Sequence, residues 1–456
     1  MKNMSLIRIA HVCGGTYYGE EKKKDMEVSG ITTDSRTVEK GFLFIAIQGK
    51  RVDGHSFISA VFEKGALCVL SERELEDAKG PYILVKSSLA AIKALAKYYR
   101  KQLDIKVVGI TGSVGKTSTK EMIASVLAQK YCVLKTLGNF NNELGLPLTV
   151  FRLREEHEIA VLEMGISNFG EMHRLSEIAC PDVCVITNIG QCHLEFLHDR
   201  DGILKAKSEI FDFIAPDGKI VLNGDDDKLS TLHEIKGIQP AFFGIETRQE
   251  LYADQLENLG LRGIRCRIHV GDQSFSVDIP IPGYHMVQNA LAATGVGLAL
   301  GLSLAQIRDG IEQLEAISGR FHLIETEDYT IIDDCYNANP VSMKASLTAL
   351  QDGLCRKVAI LGDMGELGEN EKLLHREVGR YAADLDIDLF LCVGSLSQEI
   401  AEGIREKDRG RDVREFQTVK ELLEVLPDML QKKDTILVKA SHFMKFEQIV
   451  SYLERV

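Results

Sequence analysis

"VVGITGSVGKTSTKEM", residues 107–122, decides how this chain is read. A short apolar run ends in a glycine turn, then come a lysine, hydroxyl residues and a helical pattern. The core, Gly112-Ser113-Val114-Gly115-Lys116-Thr117, has the make-up of a phosphate-binding loop. Glycine lets successive backbone N–H groups turn inward toward phosphate oxygens. Lys116 offers a compact positive charge to the β and γ phosphates of a nucleotide. Thr117 offers a hydroxyl to Mg²⁺, and the helix that begins there, with Ser118 in its first turn, adds the positive end of its dipole. The longer form of the pattern wants glycine at position 110, where this chain has Ile110. A plain glycine turn with an exposed lysine therefore stays open as an alternative.

Outward from this loop, "CVLKTLG", "IAVLEMG", "DVCVITNI" and "KIVLNGDD" alternate with helical stretches, the mark of βαβ units around a mainly parallel sheet. Residues 251–281 read as alternating strands at an antiparallel edge, and "HMVQNALAATGVGLALGL" as a helix. Before the loop, "GFLFIAIQG" and "ALCVLSE" precede the amphipathic "SLAAIKALAKYYRKQL". After "ISGRFH", the strands "YTIIDDCY", "KVAILGDM", "DLFLCVGS" and "TILVKAS" again alternate with helices. The expectation is an α/β chain of three domains. A small α/β domain covers residues 1–104, a central mainly parallel sheet domain of the P-loop ATPase type 105–317, and a Rossmann-like domain 318–456.

At 456 residues, 45% hydrophobic and 27% charged, the chain has the composition of globular domains. No run reaches the roughly 18 apolar residues of a membrane span, and the N-terminus lacks the apolar stretch of a secretion signal. A net charge of -13 argues against nucleic-acid binding by bulk electrostatics. Small anions stay possible, because local dipoles and single cations hold them. Ten cysteines without disulfide-like spacing fit a reducing, cytoplasmic setting. Cys180, Cys184, Cys192 and His193 are split by an apolar strand and lack the tight pair that zinc prefers.

Chemistry beyond nucleotide binding needs further groups at the carboxyl edge of the sheet, where open α/β sheets take ligands. Glu163 directly follows "IAVL" and suits a magnesium ligand, or a mere turn acid. His193 and Glu195 follow the next strand. A histidine there completes a metal site, orients a carboxylate, or is structural. Lys205 and Lys207 lie on a helix, where solvated lysines are the rule.

Taken together, "GITGSVGKTST", "LEMG", "TNIGQCHLE", "KAKSEIF", "GYHMVQNALAA", "GRF" and "IDDCYNANP" resemble the Mur ligases, ATP-dependent amide ligases that build the peptide of the bacterial cell wall. The resemblance extends over nearly the whole chain. "TTDSRTVEKGFLFIAIQGKRVDGHSF" is similar to the UDP-binding domain of two members, and "GNFNNELGLPLT", "DDCYNANPVSM" and "LGDMGELG" point to the one that adds the terminal dipeptide. The resemblance implies a cytoplasmic, monomeric ligase joining D-alanyl-D-alanine to UDP-N-acetylmuramoyl-tripeptide through an acyl phosphate, with ATP and Mg²⁺. It gives Lys116, Glu163, His193 and Lys207 catalytic roles, with Thr117, Glu163, His193 and Lys207 at the metal. Lys207 matches a lysine carried as a carbamate. Nucleotide contacts fall on Gly112, Ser113, Val114, Gly115, Lys116, Thr117, Ser118, Asn289, Arg320 and Asp334. Substrate contacts fall on Ser35, Arg36, Asp53, Gly54, His55, Asn141, Asn142, Asn337 and Asn339.

The chain departs from the family pattern at Met286, where a second asparagine is usual, and in "KASHFMKFE", where an arginine is usual and His442 stands nearby. Gly365 replaces a larger residue. The implied mechanism spreads the partners over three domains, so that closure excludes water from a hydrolysable acyl phosphate. A sister ligase taking one amino acid and a nucleotide-binding regulatory module are the rival readings. A dehydrogenase is weaker, since the loop lacks G-x-G-x-x-G spacing.

Overall fold

The computed structural model describes residues 1–49, 52–192 and 194–455, without the side chains of Leu194 and Glu195. The architecture is α/β with three domains and mostly parallel sheets. By contacts the chain divides into two compact units, Met1–Tyr252 with Gln288–Gly310, and Ala253–Val287 with Ile311–Val456.

The first unit holds two sheets. The N-terminal sheet runs Thr16–Tyr18, Tyr82–Leu84, Cys68–Ser71, Phe42–Ile45, Gly30–Thr32, parallel except at Thr16–Tyr18. The central sheet has Ala241–Gly244, Lys219–Asn223, Val183–Ile186, Lys106–Thr111, Ile159–Glu163 and Val133–Lys135 side by side, all parallel. Its inner strands are buried on both faces, so they read as continuous apolar runs rather than alternating ones. The helix Ser88–Arg100 starts on the Ser87 cap, whose hydroxyl accepts from Ala90 N. It packs Leu95, Ala96 and Tyr99 into a core shared with Leu153, Leu175 and Ile178 of the central domain. Tyr99 donates its hydroxyl to Leu153 O at 2.7 Å. The buried Arg100 donates to the carbonyls of Ala179, Leu103 and Ile105. An arginine so placed gives its fork of N–H donors to carbonyls, and Asp182 stands 3.8 Å away as its counter-charge.

The second unit holds an antiparallel pair, Ile264–Val270 with Gln273–Ile279, matching the alternation read in that segment. Its six-stranded sheet runs His322–Glu325, Thr330–Asp333, Thr435–Lys439, Lys357–Gly362, Leu389–Val393, Asp412–Phe416, parallel except for the first strand. Successive residues feed opposite faces. Ile332, Leu361 and Phe390 enter one core, Ile331, Ile360 and Leu391 the other. Among the described residues, no helix is long and apolar enough to cross a membrane.

Candidate active site

Three neighbouring strands of the central sheet end together and build the site. Parallel register sets Ile110 beside Glu163 and Thr111 beside Ile186, so the loop after Thr111, the Glu163 carboxylate and Thr187 share one edge. Gly112 has φ +155°, and a Cβ there would lie 1.9 Å from Thr187 Oγ1. Only glycine fits under that hydroxyl. Thr187 donates to Val114 O at 2.7 Å, and Asn188 clamps the loop further. Its Oδ1 accepts from Val114 N and its backbone O from Ser113 N, while its Nδ2 donates to Val114 O. Gly115, at φ +82°, begins the helix Lys116–Ala128, and no side chain caps it. An uncapped helix start presents N–H groups and a positive dipole end, a natural seat for phosphate. Ser118 is half-buried in its first turn.

Lys116 Nζ donates to Gly112 O at 2.8 Å. Lys207 Nζ, from the helix Arg200–Ser208, donates to the same oxygen at 3.0 Å. Lys207 is 1% exposed. Burial first, then the charge of Lys116, push its amine down to about 7. Lys205, two residues earlier, is exposed, as a helical lysine ordinarily is. The buried Glu163 accepts from Thr117 Oγ1 at 2.9 Å on Oε2 and from Asn141 Nδ2 at 2.8 Å on Oε1. A carboxylate and a hydroxyl at a helix start form a hard oxygen donor set, which suits magnesium. His193, expected at the metal, lies outside the described residues, as does the side chain of Glu195.

Asn289 is buried against the same helix, where its Oδ1 accepts from Thr119 Oγ1 at 2.8 Å. Asn142 Oδ1 accepts from Leu144 N and Gly145 N and so turns the chain into the helix Gly145–Val150. A cavity of about 610 Å³ is lined by Lys116, Asn141, Asn142 and Gly165 of the central domain and by Leu89 and Lys93 of the N-terminal one.

In the N-terminal domain, Asp53 Oδ1 accepts from His55 N and Nδ1, and Oδ2 pairs with Arg73 at 2.8 Å. His55 Nε2 accepts from Glu72 N. The ring therefore carries its proton on Nδ1. Gly54 packs its α-carbon against the Ile47 backbone, where a Cβ would meet N and O within 3 Å. Lys64 donates to Ser35 O, and the exposed Arg36 forks onto Asp34.

In the second unit, Asp334 takes Lys439 Nζ at 2.6 Å, Ser346 Oγ and Phe321 N. Lys439 also reaches Asn337 O. Arg320 lies 4.3 Å over the Tyr336 ring, and Tyr336 stacks on His442. Asn339 forms a capping box with Ser342 ahead of Pro340, starting the helix Pro340–Leu350. Gly365 faces Phe443, whose ring would stand 3.0 Å from a Cβ.

Family profiles match the Mur ligase catalytic domain at residues 27–100, the Mur ligase middle domain at 110–297 and the Mur ligase glutamate ligase domain at 319–442. UDP-N-acetylmuramoyl-tripeptide--D-alanyl-D-alanine ligase of Bacillus subtilis is 40% identical over 461 residues, covering 99% of both chains. The chain belongs to the Mur ligase family. One crystal structure of MurF from Acinetobacter baumannii superposes on this Mur ligase with a TM-score of 0.91 at 35% identity, covering 99% of each chain. The MurF ligase of Thermotoga maritima in complex with ADP gives 0.79 at 30% identity, covering 93% of this chain and 97% of the other.

Three groups of this Mur ligase escaped the sequence reading. Lys439 and Tyr336 sit inside stretches that were recognised, yet only the fold shows that one holds Asp334 and the other carries Arg320. Lys120 is 1% exposed. Its signal was present, because position 120 shares a helix face with Ile123, Ala124 and Leu127, all buried.

Proposed function

We propose that this chain joins D-alanyl-D-alanine to the terminal carboxylate of UDP-N-acetylmuramoyl-tripeptide with ATP as the activating reagent, in the cytoplasm and as a monomer. The observation that carries the reading is the convergence on Gly112 of an uncapped helix start, Lys116 and a buried Lys207, beside the Thr117–Glu163 pair. The substrates named by the Bacillus subtilis relative and the ADP held by the Thermotoga maritima structure support it.

On this reading residues 1–104 hold the UDP-sugar through Ser35, Arg36, Asp53, Gly54 and His55, residues 105–317 hold ATP, and residues 318–456 hold the dipeptide. A carboxylate is a poor acylating agent. Its oxygen attacks the γ-phosphorus of ATP, ADP leaves, and the resulting acyl phosphate is attacked by the dipeptide amine, with phosphate leaving. Lys116 and the loop N–H groups stabilise charge on the phosphoryl oxygens. Asn141 and Thr117 fix the Glu163 carboxylate. Asn142 shapes the turn beside them. Asn289 secures the phosphate-loop helix near the base, and Arg320 and Asp334 reach the nucleotide from the third domain, with Asn337 and Asn339 near the incoming dipeptide. Thr117, Glu163, His193 and a modified Lys207 would hold magnesium, which would supply charge neutralisation at the phosphates. Lys207 suits that modification: its amine, at about 7, is substantially neutral at neutral pH. The neutral nitrogen bonds to carbon dioxide and releases one proton, which leaves a carboxylate-like anion where the protonated lysine would be a cation.

The test is acceptor-dependent ADP release by the purified chain with ATP, Mg²⁺ and UDP-N-acetylmuramoyl-tripeptide. Release with D-alanyl-D-alanine alone, and a product heavier by that dipeptide, is expected. Release with a single amino acid would make the chain a sister ligase, and none with any acceptor would make it a regulatory module.

A further inference from the structure

Lys120 is a buried charge with no part in the proposed reaction. It lies one turn beyond Lys116, with its side chain 1% exposed. Three oxygens surround its nitrogen: Thr136 O at 2.7 Å, Glu121 Oε1 at 3.1 Å and Glu163 Oε2 at 3.8 Å. Thr136 O accepts a hydrogen bond from the ammonium, and the two carboxylates pair with it through charge. Glu121 also pairs with Lys135. Lys135, Glu121, Lys120 and Glu163 thus alternate in sign from the surface inward, with side-chain exposures of 42, 11, 1 and 3%. Thr136 ties the ends together, since its carbonyl takes Lys120 while its hydroxyl accepts from Glu163 N at 3.0 Å.

A buried ammonium is an expensive way to fill space, and a methionine of similar length would pack there at less cost. What the charge adds is an effect on Glu163 Oε2, the oxygen that also accepts from Thr117. We infer that Lys120 is a positioning residue that holds the Glu163 carboxylate in place and competes for it with an incoming divalent cation. The inference rests on the reading of Glu163 as a magnesium ligand. In the metal-free protein Lys120 neutralises the carboxylate. When a cation arrives, the ammonium opposes it from the far side, which keeps metal occupancy reversible between turnovers. Glu121 sets how strongly Lys120 leans toward Glu163, because it shares the same nitrogen.

The experiment is calorimetric titration of ADP into the full-length protein over a range of Mg²⁺ concentrations, with melting of the metal-free protein alongside. Lys120→Met should bring half-maximal magnesium enhancement of ADP binding to a concentration at least about five-fold lower, because a repelling charge is gone. Glu121→Gln should move it the other way, since Lys120 then has only Glu163 as a counter-charge. Glu121→Gln also serves where Lys120→Met does not fold. Unchanged magnesium dependence in a folded Lys120→Met, or the same direction of shift in both variants, overturns the inference and leaves Lys120 as packing. ADP binding by the wild type that ignores Mg²⁺ would instead overturn the metal reading, and the inference with it.

Discussion

Lys116 and Lys207 donate to one oxygen, the carbonyl of Gly112, at 2.8 and 3.0 Å. Two amines on a single acceptor carry like charges into one place, and Lys207 is the deeply buried one, so it is the one that yields its proton. Burial comes first in lowering the Lys207 amine, and the charge of Lys116 adds to it.

The first prediction follows from the sign of that shift. The folded amine titrates near 7 and an ordinary lysine near 10.5. Between those values the unfolded chain holds the proton and the folded chain does not. Stability of the metal-free protein should therefore rise with pH across that window, by roughly 3–5 kcal/mol in all. Lys207→Met should flatten the rise in a thermal melt taken in carbon dioxide-free buffer. Lys116→Ala, which removes the like charge, should start the rise at higher pH.

Gly112 provides a steric test. Gly112→Ala pushes a methyl group against Thr187 Oγ1 at a φ of +155°, which should cost about 3 kcal/mol in urea denaturation and abolish ADP binding. Thr187→Ala in the same chain removes the oxygen in the way, and the double variant should recover part of the stability. A Gly112→Ala chain as stable as the wild type would mean that the loop sits differently.

Glu143 joins the first two domains. It takes Lys93 at 3.0 Å on Oε1 and the guanidinium of Arg174 on both oxygens. The Arg174 hydrogen bond, and then Lys93, hold its carboxyl below the usual 4.5. A carboxylate so lowered stabilises above its unfolded value, and the gain is lost as pH falls through the folded one. Glu143→Gln should cost about 1 kcal/mol at neutral pH, and the difference from the wild type should shrink on acidification.

Asp334 tests the second unit. Lys439, with a side chain 2% exposed, has Asp334 as its carboxylate partner at 2.6 Å. Asp334→Asn strands that ammonium and should cost about 3–5 kcal/mol. Adding Lys439→Met should restore part of the loss, a coupling that denaturation of the two single variants and the double one measures directly.

The parts of the site written in consecutive residues were legible. Gly112 to Thr117 announce themselves because a loop that turns its N–H groups inward needs glycine at fixed places, and Glu163 because a carboxylate closing an apolar strand lies at the ligand edge. The parallel sheets were legible too, from buried strands that read as unbroken apolar runs. Burial of lone charges was not. Lys205 and Lys207 are alike in the sequence, yet one faces solvent and the other the phosphate loop, and only resemblance set them apart. Arg100 is hidden because its hydrogen-bond partners are backbone carbonyls, and a carbonyl leaves no mark in a sequence. Lys120 is hidden because Thr136 and Glu163 come to it from elsewhere in the chain. The Asp334–Lys439 pair joins residues 105 positions apart, beyond any local pattern.

Tyr99 and Arg100 fasten the N-terminal helix to the central domain through main-chain oxygens, which no change of side chain on the receiving side removes. On the function proposed above, the span from a UDP-sugar in the first domain to Lys116 is consequently set within the first unit when the chain folds. On the function proposed here the protein acts as a gauge. It compares a peptide's length with a set gap, and a donor one residue short leaves its carboxylate out of reach whatever the residues along it.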